Sequence, residues 1–183
     1  MQNQLSILEV GPNDIHEVVH YFHNSTAQYL KEMGADKSKL PEKEKWLKEL
    51  RVGLLKPDSE KSFCYLYWML NGQAIGHCNI NNIQFANSAK MHLHLWDPNT
   101  RQKGMGQQFV RLCLEFYFKK FKLQSIICEP FAENIAPNRT LLKVGFSLLK
   151  TYYTIPGKIN FHQKVNRFEI TNSRWEQFQK NPS

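Results

Sequence analysis

The sequence predicts an α+β fold in a single domain over residues 1–183. A strand pattern, a helical pattern and a short apolar run follow one another over residues 89–128, and strands joined through a helix of that length are parallel. Asn71-Gly72 separates two further strand patterns and is a strong signal for an antiparallel hairpin. Parallel and antiparallel pairs in one short chain indicate a mixed sheet with helices packed against it.

The first half of the chain alternates between the periods of strands and helices. Residues 4–10 alternate apolar and polar side chains and end at Gly11-Pro12, as a strand does. Gly76 indicates a bulge, a close backbone approach, or a plain packing glycine. The predicted elements are a strand at 4–10, helices at 14–33 and 41–55, a hairpin of strands at 62–70 and 73–85, and a strand at 89–96.

The second half contains a strong helical pattern followed by shorter segments. Residues 123–128 form a short apolar run that suits a buried central strand. Pro137 is tolerated in a helix only within the first turn, so the next helix begins close to residue 134 and Gly145 closes it. The predicted elements are a helix at 105–120, a strand at 123–128, this second helix, strands at 146–155 and 164–170, and a polar tail. Seven strands result.

Composition favours a cytoplasmic protein. The chain is 42% hydrophobic and 22% charged, and it has no apolar run long enough to cross a bilayer, so we expect no membrane partner. Its first residues show no export signal. The four cysteines form no C-x-x-C pair, which predicts small core residues and no metal site.

The net charge of +8 indicates an anionic partner. Nucleic acid, a membrane surface and a phosphorylated cofactor all satisfy that condition. The basic residues are spread along the chain without an arginine-rich tail or a DNA-reading pattern, so we expect nucleic acid to be an unlikely partner.

The stretch Arg101-Gln102-Lys103-Gly104-Met105-Gly106 lies between a predicted strand and a predicted helix. Glycines there allow a tight turn whose backbone N–H groups point to one place, and the helix dipole adds positive potential. A phosphate cradle and a basic loop that caps a helix both explain the pattern.

Two segments together resemble the GNAT superfamily of N-acetyltransferases. The first is W-D-P-N-T-R-Q-K-G-M-G at residues 96–106, which is similar to the R/Q-x-x-G-x-G/A motif at Arg101, Gly104 and Gly106. The second is N-I-A-P-N-R-T-L-L-K-V-G-F at residues 134–146, which is similar to a helix that begins at Asn134 and ends in K-x-G-F. The ending L-L-K-V-G-F most resembles the branch that includes ribosomal-protein N-terminal acetyltransferases and some aminoglycoside acetyltransferases.

The resemblance implies a twisted seven-stranded sheet that splays open between its fourth and fifth strands. Acetyl-CoA, as cosubstrate, would enter this opening with its pyrophosphate on the backbone of residues 101–106 and its pantetheine arm along the fourth strand. The implied cofactor-binding residues are Trp96, Arg101, Gln102, Lys103, Gly104, Met105, Gly106, Asn134 and Arg139. For Arg139, a solvated helix charge is the alternative interpretation.

Three side chains on the fourth strand are candidates for the chemistry. His92, His94 and Trp96 alternate, so they share one face, and an imidazole there could titrate near neutral pH and act as a base. Packing under a helix is the alternative for each histidine. The run H-L-H-L-W-D-P resembles that of siderophore-type acyltransferases in the same superfamily, whose strand histidine works with a carboxylate at the position that Glu129 occupies here.

His92 and Glu129 are therefore the expected catalytic residues, and His94, Glu129 and Phe161 the expected acceptor-binding residues. Glu129 could orient an imidazole, accept a proton through water, or bind an ammonium; a surface charge is the alternative. Leu141 stands where many family members have a tyrosine acid, and Tyr152 and Tyr153 are substitutes with an ordinary strand pattern. The acid for the thiolate stays unassigned.

The resemblance implies an enzyme that acetylates a primary amine of a small molecule or a peptide N-terminus by direct attack in a ternary complex. A siderophore-type or aminoglycoside-type acyltransferase is a narrower alternative. A non-catalytic module that binds CoA or nucleic acid is an alternative of another class. Self-association into a homodimer is a further expectation.

Overall fold

The computed structural model describes residues 4–97 and 104–180, which form a seven-stranded sheet with helices on both faces. The strands are β1 (Leu5–Glu9), β2 (Phe63–Leu70), β3 (Gln73–Gln84), β4 (Ser88–Leu95), β5 (Ser125–Cys128), β6 (Ser147–Thr154) and β7 (Gln163–Thr171). The α-helices are α1 (His16–Asn24), α2 (Ala27–Glu32), α3 (Lys43–Leu54), α4 (Met105–Phe121), α5 (Ile135–Lys143) and α6 (Asn172–Lys180).

The sheet is mixed, as predicted. Its strand order is β1-β2-β3-β4-β5-β7-β6, and every neighbouring pair is antiparallel except β4 and β5. The parallel pair is joined through α4, because parallel strands need a long crossover connection.

The sheet opens between β4 and β5. Their pairing begins at Ser88 with Ser125 and ends at Met91 with Cys128, where β5 stops. The fourth strand continues to Leu95, held on its other edge by β3. The last residues of β4 therefore have a neighbouring strand on one side only, and the expected splay is confirmed.

Each face of the sheet has its own hydrophobic cluster. On one face, α4 packs over β2 and β3: Phe109 stacks on Trp68 at 5.0 Å, and the Tyr117 hydroxyl donates to the Cys78 carbonyl at 2.9 Å. On the other face, α1 and α3 pack over Tyr65 and Tyr67. The four cysteines are buried and free, which agrees with the prediction of small core residues.

A bulge lies beside Gly76. Trp68 pairs with Gly76 and Met69 pairs with Ala74, so Ile75 has no partner residue on β2. A Cβ at Gly76 would lie 2.4 Å from the carbonyl oxygen of His94, which no side chain tolerates without a backbone shift. Both the bulge and the close backbone approach are therefore present, and the packing alternative is insufficient.

Two predicted elements were wrong. The single helix at 14–33 is broken into α1 and α2, because Thr26 is extended at ψ 152° and its side chain accepts the Tyr29 N–H at 3.1 Å as an N-cap. The polar tail contains α6, whose Trp175 is 4% exposed. The Arg174 Nε also donates to the Gly145 carbonyl at 2.6 Å.

Among the described residues, no helix has the length and apolarity to cross a bilayer. In the same part of the chain, no three metal-ligating side chains come together.

Candidate active site

A cleft of about 510 Å³ continues from the opening between β4 and β5 across the face of the sheet that carries α1 and α3. Its lining comes from α1, α3, β3, β4, the end of β5 and the loop at residues 156–163. His92, His94, Glu129 and Asn134 all line it. The structure therefore brings the predicted catalytic residues and the start of α5 into one cleft.

The register of β3 and β4 fixes the histidines on the cleft side. Asn79 pairs with His92 and His77 pairs with His94, and alternate residues of a strand share one face. His77 stacks on His94 with ring centroids 4.6 Å apart. The third predicted member of this row, Trp96, donates its Nε1 hydrogen to His77 Nδ1 at 2.8 Å.

The indole of Trp96 packs with α1 and β2. It stacks on Tyr21 at 6.2 Å and meets Tyr67 edge to face at 5.4 Å. These contacts lie on the histidine face of the sheet, whereas α4 covers the opposite face. They explain Trp96 as a packing residue, and they give no support to its predicted role in cofactor binding.

Burial lowers the pKa of each histidine in this row. Desolvation, with a smaller contribution from Lys90, lowers the pKa of His92 to about 4, and desolvation lowers that of His94 to about 3. The fully buried His77 has a pKa well below its ordinary value for the same reason. The expectation that these imidazoles titrate near neutral pH is therefore wrong, and at pH 7 they are neutral.

Glu129 is the centre of a buried ionic network. Its carboxylate accepts hydrogen bonds from Lys90 Nζ at 2.7 Å, Arg167 NH1 at 2.7 Å and the Tyr152 hydroxyl at 2.5 Å. The side chain is 2% exposed, so the surface-charge alternative is wrong. Burial alone would raise its pKa, but hydrogen bonds from Lys90, Tyr152 and Arg167 outweigh it and lower the pKa to about 2. These contacts connect Glu129 to β4, β6 and β7.

Neither tyrosine considered for the acid is among the residues that line the cleft, although Tyr152 is hydrogen-bonded to the lining residue Glu129. The hydrogen bond to Glu129 raises the pKa of Tyr152, and Tyr153 is 66% exposed and stacked on His162. Leu141 is fully buried in the core, as its apolar side chain requires.

Gly104, directly before α4, has a left-handed conformation. It caps the helix at φ +82°, which glycine adopts without strain, and among the described residues no atom lies within 4 Å of where its Cβ would be. Within the described part of the chain, the Gly104 backbone therefore has open space beside it. A Cβ on Gly106 would lie 3.8 Å from Thr140, so the start of α4 lies against α5. Met105 is buried in the core.

Some predicted cofactor residues cannot be placed in this geometry. Arg101, Gln102 and Lys103 lie outside the described residues. Asn134 is the N-cap residue of α5 and lines the cleft, whereas Arg139 is exposed on α5 away from the lining.

The free edge of β4 has backbone groups directed into the opening. The Trp96 N–H donates to the Ile75 carbonyl, so the backbone N–H and C=O groups of even-numbered residues at this end of β4 point toward β3. The backbone N–H and C=O groups of the odd-numbered Leu93 and Leu95 point into the opening. In agreement, the Tyr29 hydroxyl from α2 donates to the Leu95 carbonyl at 2.8 Å.

Phe161, predicted to bind the acceptor, is not among the residues that line the cleft. It contacts Phe131 edge to face at 6.0 Å, while its neighbours Ile159, Asn160 and Gln163 line the cleft. The amides of β3, Asn79 and Asn81, also line the cleft and were missed. The signal was present, because polar side chains at alternate positions of an otherwise apolar central strand mark a face that needs partners.

Comparison with known proteins identifies the same architecture. The family model described as "Acetyltransferase (GNAT) domain" matches residues 4–147. This range includes β1 to β5 and the two motif segments at residues 96–106 and 134–146. No curated protein matches the sequence.

Solved structures resemble the chain over almost its whole length. An aminoglycoside acetyltransferase in complex with coenzyme A matches with a TM-score of 0.72 at 15% identity, covering 98% of this chain and 100% of the other. The spermidine N-acetyltransferase from Vibrio cholerae, in complex with CoA and spermine, matches with a TM-score of 0.74 at 17% identity, covering 94% and 98%. An uncharacterized protein from Bacillus halodurans matches with a TM-score of 0.69 at 14% identity, covering 98% and 90%. At these identities the likeness establishes the fold.

Proposed function

Because the chain belongs to the GNAT acetyltransferase family, we propose that it transfers the acetyl group of acetyl-CoA to a primary amine by direct attack in a ternary complex. The observation that carries this proposal is the opening between β4 and β5, from which the cleft that holds His92 and Glu129 extends. Two substrates that enter from opposite ends of one opening can meet without a covalent enzyme intermediate.

The cofactor end of the site is built from backbone. The N–H groups at the start of α4 and the helix dipole suit a pyrophosphate, with Arg101, Gln102, Lys103, Gly104, Met105 and Gly106 as the proposed seat. The backbone N–H and C=O of Leu93, which point into the opening, suit hydrogen bonds with an amide of the pantetheine arm. Asn134 would lie beside that arm. In solved relatives the bound molecules include CoA, which supports this choice of cosubstrate.

His92 is the proposed acceptor of the proton that the amine must lose. A neutral imidazole with a low pKa accepts a hydrogen bond but is a weak base, so it can take the proton only from an amine whose own pKa is lowered in the cleft. Burial and the nearby Lys90 disfavour the charged ammonium form of the bound amine and so lower the pKa of that amine. His92→Ala should therefore lower kcat about tenfold or more with little change in acetyl-CoA affinity. An unchanged kcat would contradict this role.

Glu129 is proposed to be a positioning residue, which fixes Lys90 and Arg167 beside the cleft. Its three hydrogen bonds hold Lys90 and Arg167 at the end of β5, and its contacts include no imidazole among the described residues. The acid for the leaving thiolate has no residue assigned to it, since Leu141 replaces the expected tyrosine.

The acceptor is proposed to be a small-molecule amine or a peptide N-terminus. Kanamycin and spermine are amines bound in similar structures, and the L-L-K-V-G-F ending supports the ribosomal-protein branch as a finer placement. A cytoplasmic location and a homodimer belong to the same proposal.

Thermal unfolding with acetyl-CoA tests the cofactor site. A ligand at a hundred times its Kd stabilises the native state by about 2.7 kcal/mol, so acetyl-CoA should raise Tm by several degrees. The variant Arg101→Glu with Gly104→Val should lose that rise, because it reverses a charge and strains a left-handed turn. The quantity to compare is the ligand-induced shift in each protein. No shift at millimolar acetyl-CoA would contradict the proposal.

A non-catalytic binding module is the second candidate, and the leucine at position 141 is the observation that favours it. Slow release of CoA from acetyl-CoA with water as acceptor would support the enzyme. Binding of RNA or duplex DNA with a steep salt dependence, without CoA release, would support the module.

A further inference from the structure

The acceptor cleft is lined by uncharged polar groups. Asn79 and Gln163 are 6% and 3% exposed, and both contribute to its wall. Asn81, Asn82 and Asn160 add three further amides. Phe22 and Trp46 provide an aromatic wall, with ring centroids 5.4 Å apart. Amides and aromatic rings together suit a ligand with hydroxyl or amide groups on an apolar frame.

Four polar atoms of this lining have no partner among the described residues, and each is shielded from solvent. They are Asn81 Oδ1, His92 Nε2, His94 Nδ1 and Gln163 Oε1. The orientation of the Gln163 amide is fixed, because its Nε2 donates to the Gly34 carbonyl at 2.7 Å. A shielded polar atom without a hydrogen-bond partner is unfavourable, because it has lost its bond to water without replacement. A ligand that brings hydrogen-bond donors would recover that cost.

Two of these atoms belong to neighbouring side chains. Asn79 lies opposite His92 in the β3–β4 pairing, and Asn81 is the next residue along β3 on the same face. Nε2 of a neutral imidazole accepts a hydrogen bond when the proton is on Nδ1. An amine placed against this part of the sheet meets acceptors on both strands, at the point where β4 begins to separate from β5.

The charges of the cleft do not favour a polycation. Among the described lining residues the carboxylates are Glu49, at the exposed rim, and Glu129. Lys90 and Arg167 both bind Glu129, so its charge is more than balanced. Lys158 adds a positive charge at the rim. A ligand with several ammonium groups would place most of them beside amides or cations.

We propose that the acceptor is a monoamine whose body carries uncharged hydroxyl or amide groups, and that Asn81 Oδ1 and His92 Nε2 receive its N–H groups. This inference rests on the proposed acetyl transfer and names its substrate class. Amino sugars and uncharged peptide N-termini both have this chemistry, and both are distinct from the polyamine bound in a similar structure.

Binding to the CoA-saturated protein tests this substrate class independently of turnover. Isothermal titration measures the Kd of glucosamine, of an uncharged tripeptide amide and of spermidine. At least one of the two monoamines should bind about tenfold more tightly than spermidine, a difference of about 1.4 kcal/mol in binding free energy. The stronger of those two ligands identifies the source of the amine. Tighter binding of spermidine than of both would overturn the inference.

Carboxylates introduced into the cleft should change the preference. Asn81→Asp, and Asn82→Asp at the exposed rim, should each strengthen spermidine binding relative to the monoamines several-fold. Gln73→Glu makes the same change in charge on the same strand at an exposed position outside the lining, and it should leave the ratio unchanged. An unchanged ratio in both cleft variants would overturn the role of the amide wall. If the wild-type protein binds a monoamine more tightly than spermidine but acetylates neither, that result would count against the proposed acetyl transfer and leave the substrate class supported.

Discussion

Glu129 connects the inner and outer strands of the sheet through three hydrogen bonds. Glu129→Gln leaves Lys90 and Arg167 without a counter-charge, so it should lower the free energy of unfolding by about 2 kcal/mol, less than the full cost for a buried pair because both cations keep some solvent contact. Urea unfolding at pH 7 measures this. Lys90→Met together with Glu129→Gln should recover part of the loss. A single variant as stable as the wild-type protein would contradict the network's role.

The same carboxylate contributes to acid sensitivity. Its pKa is lowered from an ordinary 4.5 to about 2, so the unfolded chain binds its proton first as pH falls. The stabilisation is complete above pH 4.5 and is lost progressively as pH falls toward 2. The loss should be smaller in Glu129→Gln, which has no proton to bind.

Protonation of the half-buried His94 should lower the stability of the protein at a higher pH than protonation of Glu129 does. His94 has an ordinary pKa of 6.5 that burial lowers to about 3, so below pH 6.5 protons bind the unfolded state and favour unfolding. Each such group contributes up to about 1.4 kcal/mol per pH unit within this window. His94→Phe keeps a ring against His77 without a titrating group, so urea midpoints between pH 6.5 and 4.5 should fall less steeply than in the wild-type protein.

A non-titrating change in the hydrophobic cluster on the opposite face of the sheet is the matched control. Phe109→Leu alters a ring that stacks on Trp68 at 5.0 Å under α4, and it should lower stability at all pH values without changing the slope. A slope that is equal in His94→Phe and wild type would contradict the assigned burial effect.

At the scale of elements, α6 is the helix whose contribution is easiest to measure. Trp175 is 4% exposed, stacks on Phe178 at 6.2 Å and belongs to the core under α4. Phe178 lies 3.0 Å from where a Cβ of Gly145 would be, so this packing reaches the end of α5. Trp175→Ala should lower the free energy of unfolding by about 3–5 kcal/mol, through lost burial and a cavity.

Glu176→Ala on the same helix is the control for that variant. Its side chain is exposed, so its removal should have little effect on urea unfolding. A loss below about 1 kcal/mol in Trp175→Ala would contradict the packing described.

Sequence periodicity was sufficient for the sheet and insufficient for the helices at its edges. The strands and α4 were predicted because their apolar faces repeat over many residues and turn residues bound them. The break at Thr26 depends on one N-cap hydrogen bond inside a continuous helical pattern, and α6 has only one buried residue, so neither leaves a strong periodic signal.

The strand face that carries His92 and His94 was predicted, and their low pKa values were not. Alternation placed His92 and His94 on one face, and the structure has them there. Their low pKa values depend on α1 and α3 covering that face, and Glu129 meets Arg167 through strands distant in sequence. Such contacts are properties of the assembled fold. Asn79 and Asn81 were within reach of sequence reasoning, since they alternate with His77 on one buried strand.

At the scale of the whole molecule, the parallel step from β4 through α4 to β5 creates the site. One crossover makes β4 and β5 parallel neighbours, and their pairing ends at Met91 and Cys128, beside the cleft. The two hydrophobic clusters hold the two sides of the sheet, so residues between them can stay polar without loss of the fold.

Acetyl transfer measured by mass spectrometry tests the central claim most directly. The wild-type protein, incubated with acetyl-CoA and a panel of amines that includes glucosamine and an uncharged peptide amide, should produce an N-acetylated amine and one free CoA thiol for each acetyl group transferred. The variant Arg101→Glu with Gly104→Val should produce neither above background. No acetylated amine with any member of the panel, from folded protein that binds acetyl-CoA, would contradict the claim.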